Sequence, residues 1–280
     1  MQIKPIHITN NNRLIRHYRK ERDDIMKYFD YTPFADFALR AQHIDNRMYD
    51  RDTLTTMLHK MNHHWGAPAS TLKQVQRLRD ESSVVVVGGQ QAGLLTGPLY
   101  SINKLISIVR LAKEQEDKLN RPVIPIFWIE GEDHDLEEIN HIFSSKNNAI
   151  YKHRFQSELN NKKSITHINL NQDEAEAWIK AAFADLQETT YTKSVYEKVV
   201  QCLELSETYV DFFARLIFEL FPDEGIVLID SAHEDVRRME SDFFQLLITK
   251  QEAIAKSVFN SEQKLSHVGY DIPLDTEIDD

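Results

Sequence analysis

Residues 84–109 read VVVVGGQQAGLLTGPLYSINKLISIV, and this stretch decides the fold class. Val84–Val87 is a short, continuous β-branched run, polar on neither face. Such a run suits a strand covered by helices on both sides. Gly88–Gly97 then forms a loop, and Pro98 fits a first helical position, where a missing N–H costs nothing. Beyond it, Leu99, Ile102, Ile106 and Val109 share one helical face, and Leu105, Ile108 and Ala112 fill a second stripe. A largely buried helix is predicted, ending near Glu116.

Outward from there, Val123–Ile129 (VIPIFWI) reads as the next strand. Strand, helix and strand make a β-α-β unit, hence parallel pairing and a right-handed crossover. Pro125 lacks a ladder donor and is expected at an edge or a bulge. A third run, Ile226–Ile229, follows Gly225 and precedes a helical stretch over Glu234–Lys250. Between the second and third runs lie a polar insertion (Ser144–Asn161), a short strand at Ile165–Leu170, and helices at Glu174–Leu186 and Ser194–Phe221. The first 80 residues read as helical, through Leu14, Ile15, Tyr18, Ile25, Met26 and Phe29, then Phe34–Gln42, Asp52–His63 and Thr71–Asp80. Arg51-Asp52 and Ser70-Thr71 are the expected helix starts.

The predicted class is therefore α/β: a Rossmann-like, doubly wound, mainly parallel sheet with inserted helical and connecting elements. The expected organisation is an N-terminal helical part packing on the core (1–82), a first half of the core (83–143), inserted elements (144–221), and a further core strand and helix (222–280). The polar tail SHVGYDIPLDTEIDD stops without a closing element, which reads as truncation.

Composition narrows the function. The chain has 280 residues, 41% of them hydrophobic and 10% aromatic, so it can bury a sizeable core. Its net charge of -11 argues against a nucleic-acid or membrane-surface binder, since both partners are polyanionic. The single cysteine, Cys202, lies among apolar neighbours and reads as a core residue; no disulfide within one chain can form, which fits a cytoplasmic setting. The start, MQIKPIHITNNN, has no apolar signal core, and no run approaches a membrane span, so neither export nor spanning is expected.

Two turns carry the chemistry. The first, GGQQAGLLTGPLY, holds Gly88, Gly89, Gly93 and Gly97, four of only eight glycines. After a strand and before a helix, such a turn lets backbone N–H groups and the helix dipole receive an anion. It matches neither the Walker spacing nor G-x-G-x-x-G, so phosphate binding rests on context. Gln90 and Gln91 can read polar substrate groups or cap the turn. Thr96 precedes the helix, and Tyr100, Lys104 and Ser107 share one face. Lys104 either reaches an anion near the helix start or is a solvated lysine.

The second turn, EGEDHDLEE, begins where the second strand ends, at the place where α/β folds bind ligands. Glu130, Glu132, Asp133, His134 and Asp135 crowd carboxylates beside an imidazole, a set that can separate pKa values, orient the ring or hold Mg2+ delivered with phosphates. Glu137 and Glu138 suit an acidic helix start. No structural metal is expected: there is no Cys cluster and no H-E-x-x-H. DSAHED, with Asp230, Ser231 and His233, sits at the end of the third strand and reads either as a plain loop, the expected reading, or as part of the same crevice; His63, His64 and Trp65 read as structural or surface residues.

Together, VVVVGGQQAGLLTGPLYSINKLISI, RPVIPIFWIEGEDHDLEEINH, EGIVLIDS and HVGYDIP resemble the bacillithiol biosynthesis cysteine-adding enzymes, the BshC family. The resemblance implies a Rossmann-like core with inserted elements, laid out like class I aminoacyl-tRNA synthetase-type ligases. It implies the last step of bacillithiol assembly, joining cysteine to glucosaminyl-malate. It also implies a longer protein, with a second half of the core and a C-terminal coiled coil linked to dimerisation that is absent here. Amide formation in water needs an activated acid, which points to ATP, with Mg2+ travelling with its phosphates. On that reading the glycine turn (Gly88, Gly89, Gln90, Gln91, Gly93, Thr96, Gly97, Tyr100), with Glu130 and Glu132, binds substrate and nucleotide. Lys104 steadies developing charge, and His134, Asp133 and Asp135 orient or deprotonate the amine. The alternatives are a non-catalytic nucleotide- or sugar-phosphate-binding module and an inactive fragment of the ligase.

Overall fold

A computed structural model of the chain describes residues 11–146, 149–156 and 163–270. The expected tail beyond 270 and parts of the polar insertion lie outside the described residues. Met1–Arg47 with Glu240–Asp280 form one unit, and Met48–Met239 form another.

The first unit holds α1 (Arg13–Arg19), α2 (Asp23–Met26) and α3 (Phe37–Asp45). Asn12 starts α1 by accepting the Ile15 N–H at 3.1 Å. The second unit runs through α4 (Arg51–His64), α5 (Ala69–Arg77), β1 (Val84–Gln90), α6 (Leu99–Leu119), β2 (Val123–Ile129) and α7 (Leu136–Ile139). An antiparallel hairpin follows, β3 (His141–Lys146) with β4 (Ala149–Arg154). Then come α8 (Gln172–Ala184), α9 (Thr192–Glu204), α10 (Tyr209–Leu220) and β5 (Val227–Asp230). The boundary between the units falls within α11 (Glu234–Thr249), and α12 (Gln251–His267) belongs to the first. No helix of the described residues is long and apolar enough to cross a membrane.

The sheet is parallel, in the order β1-β2-β5, as the β-α-β reading requires. Together with the helices packed on it, this is a Rossmann-like α/β architecture. The central strand β2 is buried on both faces, and its Phe127 stacks on Phe213 of α10. Pro125 sits in this central strand, and the register explains how. Glu130 donates its N–H to Gln90, while Ser231 donates to Ile129, so odd residues of β2 face β5. Pairing with β5 begins only at Ile126, so the donor missing at Pro125 falls where no strand pairs.

The outer edge of β5 is closed by side chains. Asn62 of α4 donates to Leu228 O at 2.8 Å and accepts the Leu228 N–H at 2.9 Å. Thr71 of α5 donates to Ile226 O at 2.9 Å. These buried groups stand in for a neighbouring strand and satisfy backbone that would otherwise be orphaned.

Several expectations are corrected. Val84–Val87 is not covered on both faces: Val85 and Val87 are exposed. Gly88 and Gly89 belong to β1 and pair with Phe127 and Trp128, so the loop begins only at Gln91. Their lack of a side chain serves close packing, since a Cβ at Gly89 would lie 2.6 Å from Trp128 O. Pro98 is the N-cap of α6 and not its first residue. Ile165–His167 is a 3-10 turn, with only an isolated bridge from Asn169 to Thr208 in place of the expected strand. The expected helix over 194–221 is two helices. Thr208 and Asp211 form a capping box that restarts the chain as α10. Asp50 caps α4 and Pro68 precedes α5, each ahead of the expected start.

Candidate functional site

The carboxyl ends of β1 and β2 bring the two turns together. Past Gln90 the chain makes a 3-10 turn over Leu94–Thr96, with Leu95 (φ 49), Thr96 (φ 73) and Gly97 (φ 68) all left-handed. Gly93 and Gly97 pack against each other, because a Cβ at Gly93 would lie 2.6 Å from Gly97 Cα. The chain then enters α6 at Pro98, with no side chain capping the helix start. The positive end of a 21-residue helix thus opens beside the turn.

Lys104 points back along α6 to the end of β1. Its ammonium donates to Gly89 O and to Gln90 Oε1, each at 2.8 Å, and lies 5.0 Å from the centre of the Tyr100 ring. Lys104 is thus anchored and not simply solvated. An ammonium has three donors, so one remains for a ligand oxygen.

From Gln90 a chain of hydrogen bonds crosses to the acidic turn. Gln90 Nε2 donates to Gln91 Oε1 at 2.7 Å, and Gln91 Nε2 donates to Asp133 Oδ2 at 2.8 Å and also to Glu138. Asp133 further accepts the N–H groups of His134 (2.7 Å) and Asp135 (3.0 Å). The Gln91 hydrogen bond, aided by these amides, holds the Asp133 carboxyl below the usual range against a burial cost. Asp135 caps α7 by accepting the Glu137 N–H at 3.0 Å. His134 is 62% exposed, with Nδ1 3.9 Å from Asp133 Oδ1.

Glu130 differs from its neighbours. It is half-buried at the end of the central strand, and no hydrogen bond to its carboxylate is found among the described residues. Burial raises its carboxyl above the usual range. Lys104 opposes that shift, while Glu132, Asp133 and Glu138 add to it. Among the described residues no group of three or more His, Cys, Asp or Glu is arranged to hold a metal ion.

A buried clasp fixes the acidic turn from behind. Gly131 donates its N–H to Ser231 Oγ at 3.0 Å, and its carbonyl accepts from Thr166 N (3.1 Å) and Ser164 Oγ. Thr166 Oγ1 lies 2.9 Å from both Asp230 oxygens, and Ala232 N donates to Asp230 Oδ1 at 3.0 Å. Asp230 is 2% exposed, and burial raises its carboxyl despite those donors. Asp230 and Ser231, read from sequence as a loop, therefore support the site. Ser164 and Thr166 gave no signal. The nearest available clue was the unbroken step from apolar strand to Asp-Ser at 229–231.

The remaining candidates fall elsewhere. Cys202 is buried in α9, where burial pushes its thiol up to about 11, as befits a core residue. His64 and Trp65 both meet Asp211, at 3.6 and 2.9 Å, beside the start of α10.

With this geometry established, the comparisons with known proteins are specific. The family described as "Bacillithiol biosynthesis BshC, N-terminal Rossmann-like domain" matches residues 1–279. A protein of Oceanobacillus iheyensis named "Putative cysteine ligase BshC" is 42% identical over 281 residues, covering 98% of this chain and 51% of the relative. Proteins of the same name from Bacillus cytotoxicus and Bacillus licheniformis are 40% and 38% identical, over 99% and 96% of this chain and 52% and 50% of the relatives. The chain spans about half the length of the curated relatives it matches.

Proposed function

This chain belongs to the bacillithiol biosynthesis BshC family, as its N-terminal Rossmann-like domain, and from that premise we propose that it carries a ligase site joining an activated cysteine carboxyl to the amine of glucosaminyl-malate. The observation that carries the reading is the hydrogen-bonded chain Lys104–Gln90–Gln91–Asp133, which ties two turns distant in sequence into one polarised surface.

The two ends of that surface suit the two partners. Toward β1 lie the uncapped start of α6 and the Lys104 ammonium, which favour phosphate oxygens and the charge developing on an attacked carbonyl. Toward β2 lie Glu130, Glu132, Asp133 and Glu138, which favour an ammonium group. ATP supplies the activation: the cysteine carboxylate displaces pyrophosphate and becomes an acyl phosphate anhydride. The amine nitrogen then attacks the carbonyl carbon, the C–N bond forms, and the C–O bond to AMP breaks. Gln90 and Gln91 orient polar groups between the two ends. His134 and Asp135 stand at the rim, where they meet the incoming amine.

The test is nucleotide consumption by the purified protein with cysteine and glucosaminyl-malate, reading AMP against ADP. The proposal expects AMP and the ligated thiol only when both substrates are present, and a loss of at least tenfold in Gly93→Val. Binding of ATP without turnover would favour a non-catalytic module.

A further inference from the structure

The site holds several carboxylates, and the structure separates their tasks. Asp133 is spoken for: Gln91 and two backbone N–H groups occupy its oxygens. Asp135 caps α7, and Glu138 accepts from Gln91. Asp230 is sealed beneath Gly131 by Thr166 and Ala232. Glu130 alone combines a half-buried position at the end of the central strand with a carboxylate that accepts no hydrogen bond from the described residues.

Building on the ligase reading above, we propose that Glu130, and not His134, is the catalytic residue that takes the proton from the attacking amine. As the C–N bond forms, the nitrogen sheds a proton to a Glu130 carboxylate oxygen, and the C–O electron pair leaves with AMP. Position supports this. Glu130 opens the acidic turn, which draws the ammonium, and its N–H bonds to Gln90 O, while Lys104, which steadies the developing oxyanion, holds the Gln90 side chain. His134 is largely exposed and lies 3.9 Å from its nearest acidic partner. A carboxylate raised toward neutrality is also a stronger base than an ordinary one. The charged groups acting on Glu130 are Lys104 from α6, Glu132 and Asp133 from its own turn, and Glu138 from α7.

Two readouts test this on the same protein. The first is a carbon-13 NMR titration of glutamate side-chain carboxyls, with Glu130 assigned by the signal missing in Glu130→Gln. It needs no turnover. Glu130 is expected to titrate above an ordinary glutamate, higher still in Lys104→Met, and lower in Asp133→Asn. Titration at or below the ordinary value overturns the assignment, whatever the protein catalyses. The second is the pH profile of ligation. Glu130→Gln is expected to lower kcat by about 10²–10⁴-fold with little change in KM and to abolish the acidic limb. In Lys104→Met that limb should move to higher pH. Retention of rate and limb in Glu130→Gln, with their loss in His134→Ala, moves the proton to the imidazole and leaves the ligase reading standing. Absence of any ligation by the parent protein overturns the ligase reading itself, and with it this role for Glu130.

Discussion

Gly131→Ala should be severely destabilising, and the structure says by how much. The new methyl would lie 2.0 Å from Asp230 Oδ1 and 2.1 Å from Thr166 Oγ1. Gly131 does not use a left-handed φ, so the penalty comes from the methyl alone. Neither neighbour can swing clear, because Asp230 is 2% exposed and the Thr166 hydroxyl is held 2.9 Å from both its oxygens. Overpacking of this kind costs about 1–3 kcal/mol. Forcing the hydroxyl off a buried carboxylate forfeits a further hydrogen bond of about 1.5–3 kcal/mol. The expected loss is roughly 2.5–6 kcal/mol. Urea unfolding followed by tryptophan fluorescence measures it as a lower midpoint at unchanged slope. Thr166→Ala removes one of the two clashing atoms, so in that background the same methyl should cost at least about 1 kcal/mol less. A Gly131→Ala protein within about 0.5 kcal/mol of its parent would refute the clasp.

Gly88 and Gly89 should part company: at Gly88 a Cβ meets the mobile end of Ile108, 2.8 Å away, whereas at Gly89 it meets backbone, Trp128 O at 2.6 Å. Alanine at Gly89 should therefore cost about 1–2 kcal/mol more than at Gly88 by urea midpoint, and equal costs would contradict the close strand approach. Asp211→Ala removes the Thr208 capping box and the partner of Trp65 Nε1, with an expected loss of about 2–4 kcal/mol; a midpoint unchanged from the parent would count against that network. Asp230 has a raised carboxyl, so the folded protein binds its proton more tightly than the unfolded chain. Its contribution is then fully present below the ordinary aspartate value and is lost as pH rises through the folded value. Asp230→Asn should therefore gain on its parent across that rise, and a stability difference independent of pH would contradict the raised value.

Much of the fold was legible because the apolar runs and periodicities are strong, but burial follows them only in part: α6 is not largely buried as expected, since Leu105, Ile108 and Ala112 face the core whereas Leu99 and Ile106 of the other stripe are exposed. VVVV and VIPIFWI flank a helix with two apolar stripes, and the structure pairs these strands in parallel around a buried β2. The end of β1 was misjudged for a physical reason. Glycines usually mark turns, but here Gly88 and Gly89 are demanded by the neighbours' close approach within the sheet. The β3–β4 hairpin was missed because its residues are largely exposed on both faces, as at Phe143, Ile150 and Tyr151, so no apolar alternation advertised it. The break before α10 was available in Thr208-x-x-Asp211, a capping signature masked by the apolar residues on either side. In the site, local strand–turn–helix grammar placed both turns at strand ends. The Gln91–Asp133 bond and the Thr166–Asp230 clasp are long-range pairings that no local spacing encodes.

The central claim is that the glycine turn and the acidic turn form one ligand crevice at the carboxyl ends of β1 and β2. Backbone amide NMR on addition of ATP tests it directly. The largest shifts are predicted at Gly93–Ser101 and at Glu130–Asp135 together, and Gln91→Ala, which cuts the bond between the turns, should uncouple the second set from the first. Shifts confined to one turn, or centred away from both strand ends, would contradict the account.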